Sequence, residues 1–334
     1  MGFTTLSISL LMAAAPVAPD PGSSAPAAPV MPAMEARAFE QLLRTGSVRQ
    51  LEQGCRNAVA SGLTGRLEDL RDRLMVVAPA PQPFTVVAAN TRALLACKAP
   101  DSARQVLGRY GPGYGPHRRD WLILSWRSAA AALDHGRAAL ALRRLAEGRL
   151  QSLDGIRLPL GDSAGGEPIT RNALDQLAEH EAALGRLAEA VDVLASGRAS
   201  GLSAARRFRR SVQWLDQLGQ PVSSDRLETA LEQAAEAQAW SLAEDLLWIQ
   251  LRLERQAGGD GSIARARLER LAARVDDTYT LRRLLDAPSP SPANPGRRLM
   301  LERQLRSPRA PGGNFVLKES EVRRPDSAVS PATP

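Results

Sequence analysis

Lysine, histidine, cysteine and aromatic side chains are all scarce in this 334-residue chain. Only Lys98 and Lys318 are lysines among 43 basic residues, so arginine carries the net charge of +7. Arginine-borne basicity suits recognition of carboxylate or phosphate, but here it is spread along the chain and mixed with 36 acids. His117, His135 and His180 make no HExxH pattern and no Cys/His cluster, which removes the usual zinc spacings. Two cysteines are too few for a disulfide-stapled scaffold. Cys55 and Cys97 form one bridge if the chain is exported, or act as two buried apolar side chains if it is cytosolic. The second is the expectation, because a bridge needs Cα atoms within about 7 Å and nothing local brings them together. Val, Ile and Thr rarely alternate with polar residues, so sheet has little support. The one apolar stretch near a terminus, Leu6–Ala15, is too short to span a bilayer, and no later run approaches that length.

What the chain does have is alanine and leucine, which dominate a hydrophobic content of 44% and are strong helix formers. Helical segments are expected over 35–45, 48–60 (capped by Ser47), 66–77, 84–97 and 102–109. Gly108–Pro116, reading GRYGPGYGP, is expected to be a loop. Further helices follow over 120–133, 137–147, 170–184, 186–196, 203–218, 225–237 (capped by Asp225), 241–255, 262–275 and 278–286. A Gly/Pro-rich insertion occupies 151–169.

In 186–196, Leu187, Val191 and Leu194 form one apolar stripe, and Leu174, Leu177, Ala178 and Leu184 form the matching stripe of the preceding segment. A short turn between two such helices makes them antiparallel. Segment 241–255 is apolar on two faces, Leu242/Leu246/Ile249/Leu253 and Trp240/Leu247/Leu251, which suits a helix sandwiched between layers.

These pairs resemble tetratricopeptide-type (TPR) repeats. Leu174, Leu177, Ala178 and Glu181 match the spacing of that family's first-helix pattern. Leu184-Gly185-Arg186 is similar to its turn, and Ala190-x3-Leu194 to its second helix. The last pattern recurs as Ala103/Leu107, Ala141/Leu145 and Ala243/Leu247. Uneven spacing gives an all-α fold with an irregular stack of antiparallel hairpins, a TPR-like α-solenoid with disordered termini. The resemblance implies protein or peptide binding in a concave groove; the matching positions are structural, so no groove residue carries over.

The organisation expected is a signal-peptide-like segment over 1–18, a Pro/Ala-rich linker over 19–33, a helical-repeat domain over 34–287 and a disordered basic tail over 288–334. The leader tilts the reading toward export, to a periplasmic or comparable compartment, although no basic residue precedes its apolar stretch.

Catalytic patterns fare poorly. Gly161–Gly166 (GDSAGG) resembles the nucleophile loop of trypsin-like proteases, which needs a double β-barrel that this chain does not supply. The glycine-rich 108–116 stretch lacks the Lys-Ser/Thr of a P-loop. No cofactor, metal site or paired acid and base is expected, and the chain is read as no enzyme. The sharpest charge feature is Arg206, Arg207, Arg209 and Arg210 around Phe208, with Phe208, Val212 and Leu215 as the buried stripe. Together with Tyr110 and Tyr114 these arginines are the candidate partner-binding residues. The expected role is a non-catalytic protein–protein interaction scaffold; the alternative is an Arg-rich nucleic-acid binder.

Overall fold

The computed structural model describes residues 34–77, 81–111, 115–162, 167–287 and 295–306. The fold is all-α apart from one short two-stranded ribbon, and consecutive helices pack on one another in the manner of a helical repeat. The signal-peptide and linker segments lie outside the described residues. Where one domain is expected over 34–287, the chain forms two compact units, one ending at Tyr110 and the next beginning at Gly111. The boundary falls in the GRYGPGYGP stretch.

The first unit contains α1 (Ala36–Thr45), α2 (Val48–Ala60), α3 (Thr64–Val76), α4 (Phe84–Ala96) and α5 (Pro100–Leu107). Ser47 caps α2 as expected, in a reciprocal box with Gln50 that satisfies two backbone N–H groups. Pro100 opens α5 instead of lying in a linker, since the first turn needs no N–H from it. Leu51, Leu70, Leu74, Val87 and Leu94 are sealed between these helices. Packing of α2 on α4 brings Cys55 and Cys97 to a Cα separation of 4.7 Å, and they form a disulfide. The expectation of two unlinked apolar thiols is corrected: both side chains are buried, but in the same contact.

The second unit contains α6 (Arg118–Ala131), α7 (His135–Ala146), α8 (Ala173–Ala183), α9 (Leu187–Ala195) and α10 (Leu202–Gln217). It continues through α11 (Ser224–Glu236), α12 (Trp240–Gln256), α13 (Ser262–Arg274), α14 (Thr278–Asp286) and α15 (Pro295–Arg306). Helix α12 packs on α10, α11 and α13, which accounts for its two apolar faces. Ser223, not Asp225, caps α11. Helix α15 lies where a disordered tail is expected. Its Leu301 is 2% exposed, and Arg282 of α14 bonds Glu302 at 2.8 Å. A basic segment of weak amphipathicity folds here because α14 offers it an apolar contact and ion-pair partners of both signs, Arg282 to Glu302 and Asp286 to Arg298.

One turn geometry joins five helix pairs, α4/α5, α6/α7, α8/α9, α10/α11 and α12/α13, and it also ends α2, α11 and α13, at Gly62, Gln238 and Asp276. A residue of positive φ follows the first helix of each pair, at Lys98, Leu133, Gly185, Gly219 and Gly258. The next N–H reaches five residues back, as from Arg186 to the Glu181 carbonyl at 3.0 Å, closing the end of the helix. These positions are 35, 52, 34 and 39 residues apart along the chain. The Ala-x3-Leu motifs at 103, 141 and 190 fall on second helices, whereas Ala243/Leu247 lies on a first helix and is out of register.

The 52-residue interval contains the insertion. It forms a 3-10 turn (Leu150–Gly155) and an antiparallel ribbon of β1 (Arg157–Asp162) and β2 (Pro168–Asn172), not the featureless loop expected. Pro159 and Gly161 flank an irregularity in the register, and of residues 157–161 only Leu158 enters the core. Residues 170–172 are strand, so α8 starts at Ala173. An isolated ribbon of this size is marginal in water, so contacts outside it must hold it.

Candidate partner-binding cleft

The ribbon is anchored by Asp154. Its carboxylate accepts from the backbone N–H groups of Arg198 (2.8 Å) and Ala199 (2.9 Å) and from Nη2 of Arg207 (2.6 Å). Its carbonyl accepts from Nδ2 of Asn172 at 2.6 Å, and Asn172 Oδ1 caps α8 at the N–H of Leu174. Arg207 Nε also donates to Asp175 Oδ1 at 2.5 Å. The Arg207 hydrogen bond is the main reason the Asp154 pKa falls to about 2; burial opposes it, and the two N–H groups add to it. Burial works against the Arg207 guanidinium, but its bonds to Asp154 and Asp175 outweigh that and raise its pKa. Space for this arginine comes from Gly197, where a Cβ would lie 2.5 Å from Arg207 Nη1 and 2.9 Å from Leu174. Arg207 is 8% exposed. Its place among the surface candidates is therefore corrected: it ties the ribbon to α8 and α10.

The other three arginines face a cleft. The first helices of three successive pairs, α8, α10 and α12, line it together with the ribbon, and Leu194 of α9 and Arg283 of α14 complete it. It has two adjoining parts of about 930 and 620 Å³ that share Arg209, Arg210 and Asp245. Ion pairs cross between the helices: Arg209 to Asp245 (2.7 Å), Arg210 to Glu179 (2.8 Å) and Arg252 to Asp216 (2.7 Å). Each is half open to water, so each contributes little to stability, about 0–1 kcal/mol. Arg210 also lies over Trp214 at 5.1 Å, and Arg283 over Trp248 at 4.0 Å. Arg206 is exposed at the ribbon end. Tyr110 belongs to the first unit, with its ring 5.1 Å from that of Phe84, so it does not join these arginines in one unit. Tyr114 lies outside the described residues.

Several cleft residues carry no signal in the sequence. Arg157 and Arg171 come from the ribbon, and Trp248 and Arg252 from α12, beyond the arginine cluster. The pairs Arg118/Arg119, Arg143/Arg144 and Arg297/Arg298 do not line the cleft; of Arg282/Arg283, only Arg283 does. Arg143 instead hydrogen-bonds Glu181 Oε1, with an ion-pair distance of 2.7 Å, and Arg186 forms an ion pair with Oε2 at 2.9 Å. Glu181 is fully buried at the position where the repeat pattern has an aromatic residue, and two arginines make that carboxylate tolerable there.

Two of the histidines expected to stand alone meet. His135 Nδ1 and His180 Nδ1 are 3.0 Å apart, and Trp126 Nε1 donates to His180 Nε2 at 3.0 Å. Because Nε2 accepts, neutral His180 carries its proton on Nδ1 and donates it to His135. Burial, reinforced by His135, lowers the His180 pKa to about 4. Among the described residues no group of three His, Cys, Asp or Glu is placed to hold a metal ion, and no helix is long and apolar enough to cross a membrane. Of the GDSAGG stretch, residues 163–166 lie outside the described residues.

Comparison with protein families finds no family model that matches this chain, and comparison with curated proteins finds no match.

Proposed function

We propose that this chain is a non-catalytic protein-interaction scaffold built from TPR-like hairpins, and that the cleft along α8, α10 and α12 is its binding site. The observation that carries this reading is the lining of one cleft by the first helices of three successive pairs, α8, α10 and α12. The spacing of the first-helix ends supports the TPR-like character. Its intervals of 35, 34 and 39 residues lie near the family's 34, and the ribbon insertion accounts for the interval of 52. Stacked repeats present such faces because each pair buries its own stripe against neighbours and leaves one helix row open. The Cys55–Cys97 bridge favours an oxidising compartment, in line with export.

A photo-crosslinking amino acid at Gln217, exposed in the cleft, tests the site in the native cells, with Glu232 on α11 as the comparison. A discrete crosslinked protein from position 217 but not from 232 is the expected result. Equal crosslinking from both positions, or none from 217, refutes the assignment.

A further inference from the structure

We infer that the cleft takes an extended acidic peptide, whose carboxylates sit at the ribbon end. This rests on the scaffold reading above and adds the chemistry and direction of the occupant. Nine arginines line the two parts of the cleft against four carboxylates. Each of those carboxylates already has an arginine: Asp175 has Arg207, Glu179 has Arg210, Asp216 has Arg252 and Asp245 has Arg209. Five further arginines line the cleft, Arg255 and Arg283 in the larger part and three together in the smaller. Arg157, Arg171 and Arg206 are exposed and line the smaller part. Among the described residues they make no ion pair. Three uncompensated guanidiniums around one concavity repel one another, and a bound anion removes that repulsion. The exposed hydroxyls of Thr170, Ser203 and Ser241 line the same part and add hydrogen-bond donors.

The larger part differs. Trp248 and Ile249 of α12 line it half-buried, and Arg283, one of its five arginines, is stacked on Trp248. An occupant that places carboxylates at the ribbon and apolar side chains over α12 satisfies both parts. A peptide can be patterned in that way. A nucleic-acid strand has a phosphate at every nucleotide, so its charge would continue past Asp216 and Asp245. The observations favour the peptide.

Fluorescence anisotropy with the full chain tests this. The probes are a labelled dodecapeptide with four glutamates at one end and leucines at the other, its Gln-for-Glu and Lys-for-Glu counterparts, and a single-stranded DNA 20-mer. The Glu peptide is expected to bind at least about tenfold more tightly than the Gln peptide, and to weaken as salt rises. Arg157→Glu with Arg171→Glu should weaken it about tenfold or more, while Arg144→Glu, outside the cleft, should not. Circular dichroism confirms that the variants fold. Equal binding of Glu and Gln peptides, or indifference to the Arg157/Arg171 reversal, overturns the inference and leaves the scaffold reading standing; tighter binding of DNA overturns the inference and favours the nucleic-acid reading instead. Failure of every probe also overturns it, and the crosslink at position 217 then shows separately whether the scaffold reading falls.

Discussion

Asp154→Asn should loosen the ribbon in a pH-dependent way. Asp154 has a folded pKa of about 2 against 3.8 for the free side chain, so its charge stabilises the fold above pH 4, and that stabilisation is lost as pH falls from about 4 to 2. The difference corresponds to about 2 kcal/mol. Asparagine also leaves Arg207 with Asp175 as its one remaining anion, and stripping a partner from a buried pair costs about 3–5 kcal/mol. The two figures describe one interaction, so the expected loss at pH 7 is about 2–4 kcal/mol. Urea denaturation followed by circular dichroism measures it. Because the chain has two units, hydrogen exchange at Leu158 and Arg171 should be measured alongside, as it reports the ribbon locally. Arg207→Met added to Asp154→Asn should cost less than the sum of the single changes, since it removes the stranded cation. The released ribbon should also bind the Glu peptide more weakly. A loss below about 1 kcal/mol at pH 7, or the same loss at pH 2 as at pH 7, would refute the anchoring role of Asp154.

Three further outcomes are expected. His180 is held neutral, with a folded pKa of about 4 below the 6.5 of a free histidine. Stability should therefore be complete above pH 6.5 and fall by about 3 kcal/mol toward pH 4, a slope that His180→Leu removes; an unchanged slope in that variant counts against the assignment. Loss of the disulfide in Cys55→Ala/Cys97→Ala should cost about 4 kcal/mol, from a loop of 42 residues, and reductant should lower the thermal midpoint of the wild type similarly; two free thiols in the untreated protein would contradict the bridge. Leu301→Ala should cost about 2–5 kcal/mol locally and speed hydrogen exchange in α14; no change there would show that α15 does not support it.

The helices were legible because their determinants are local. Apolar period, proline, turn glycines and the Ser47 cap act within a few residues, so the order of helices and the pairing of neighbours follow from sequence alone. The arginine cluster at 206–210 was also visible, but its roles were not: periodicity placed Phe208 inward and could not show that Arg207 is buried with it. Arg207 meets Asp154 across 53 residues, Trp126 meets His180 across 54, and Cys55 meets Cys97 across 42. Such contacts depend on which helix faces pack, and that is decided by the summed burial of many side chains rather than by any short pattern. The ribbon was missed for the same reason. Arg157–Asp162 lacks strand alternation, contains Pro159 and Gly161, and persists because Leu158 and Asp154 tie it to helices distant in sequence. The sequence alone therefore determined a helical chain of successive pairs. Tertiary packing decided which charges are spent on the fold and which remain exposed at the cleft.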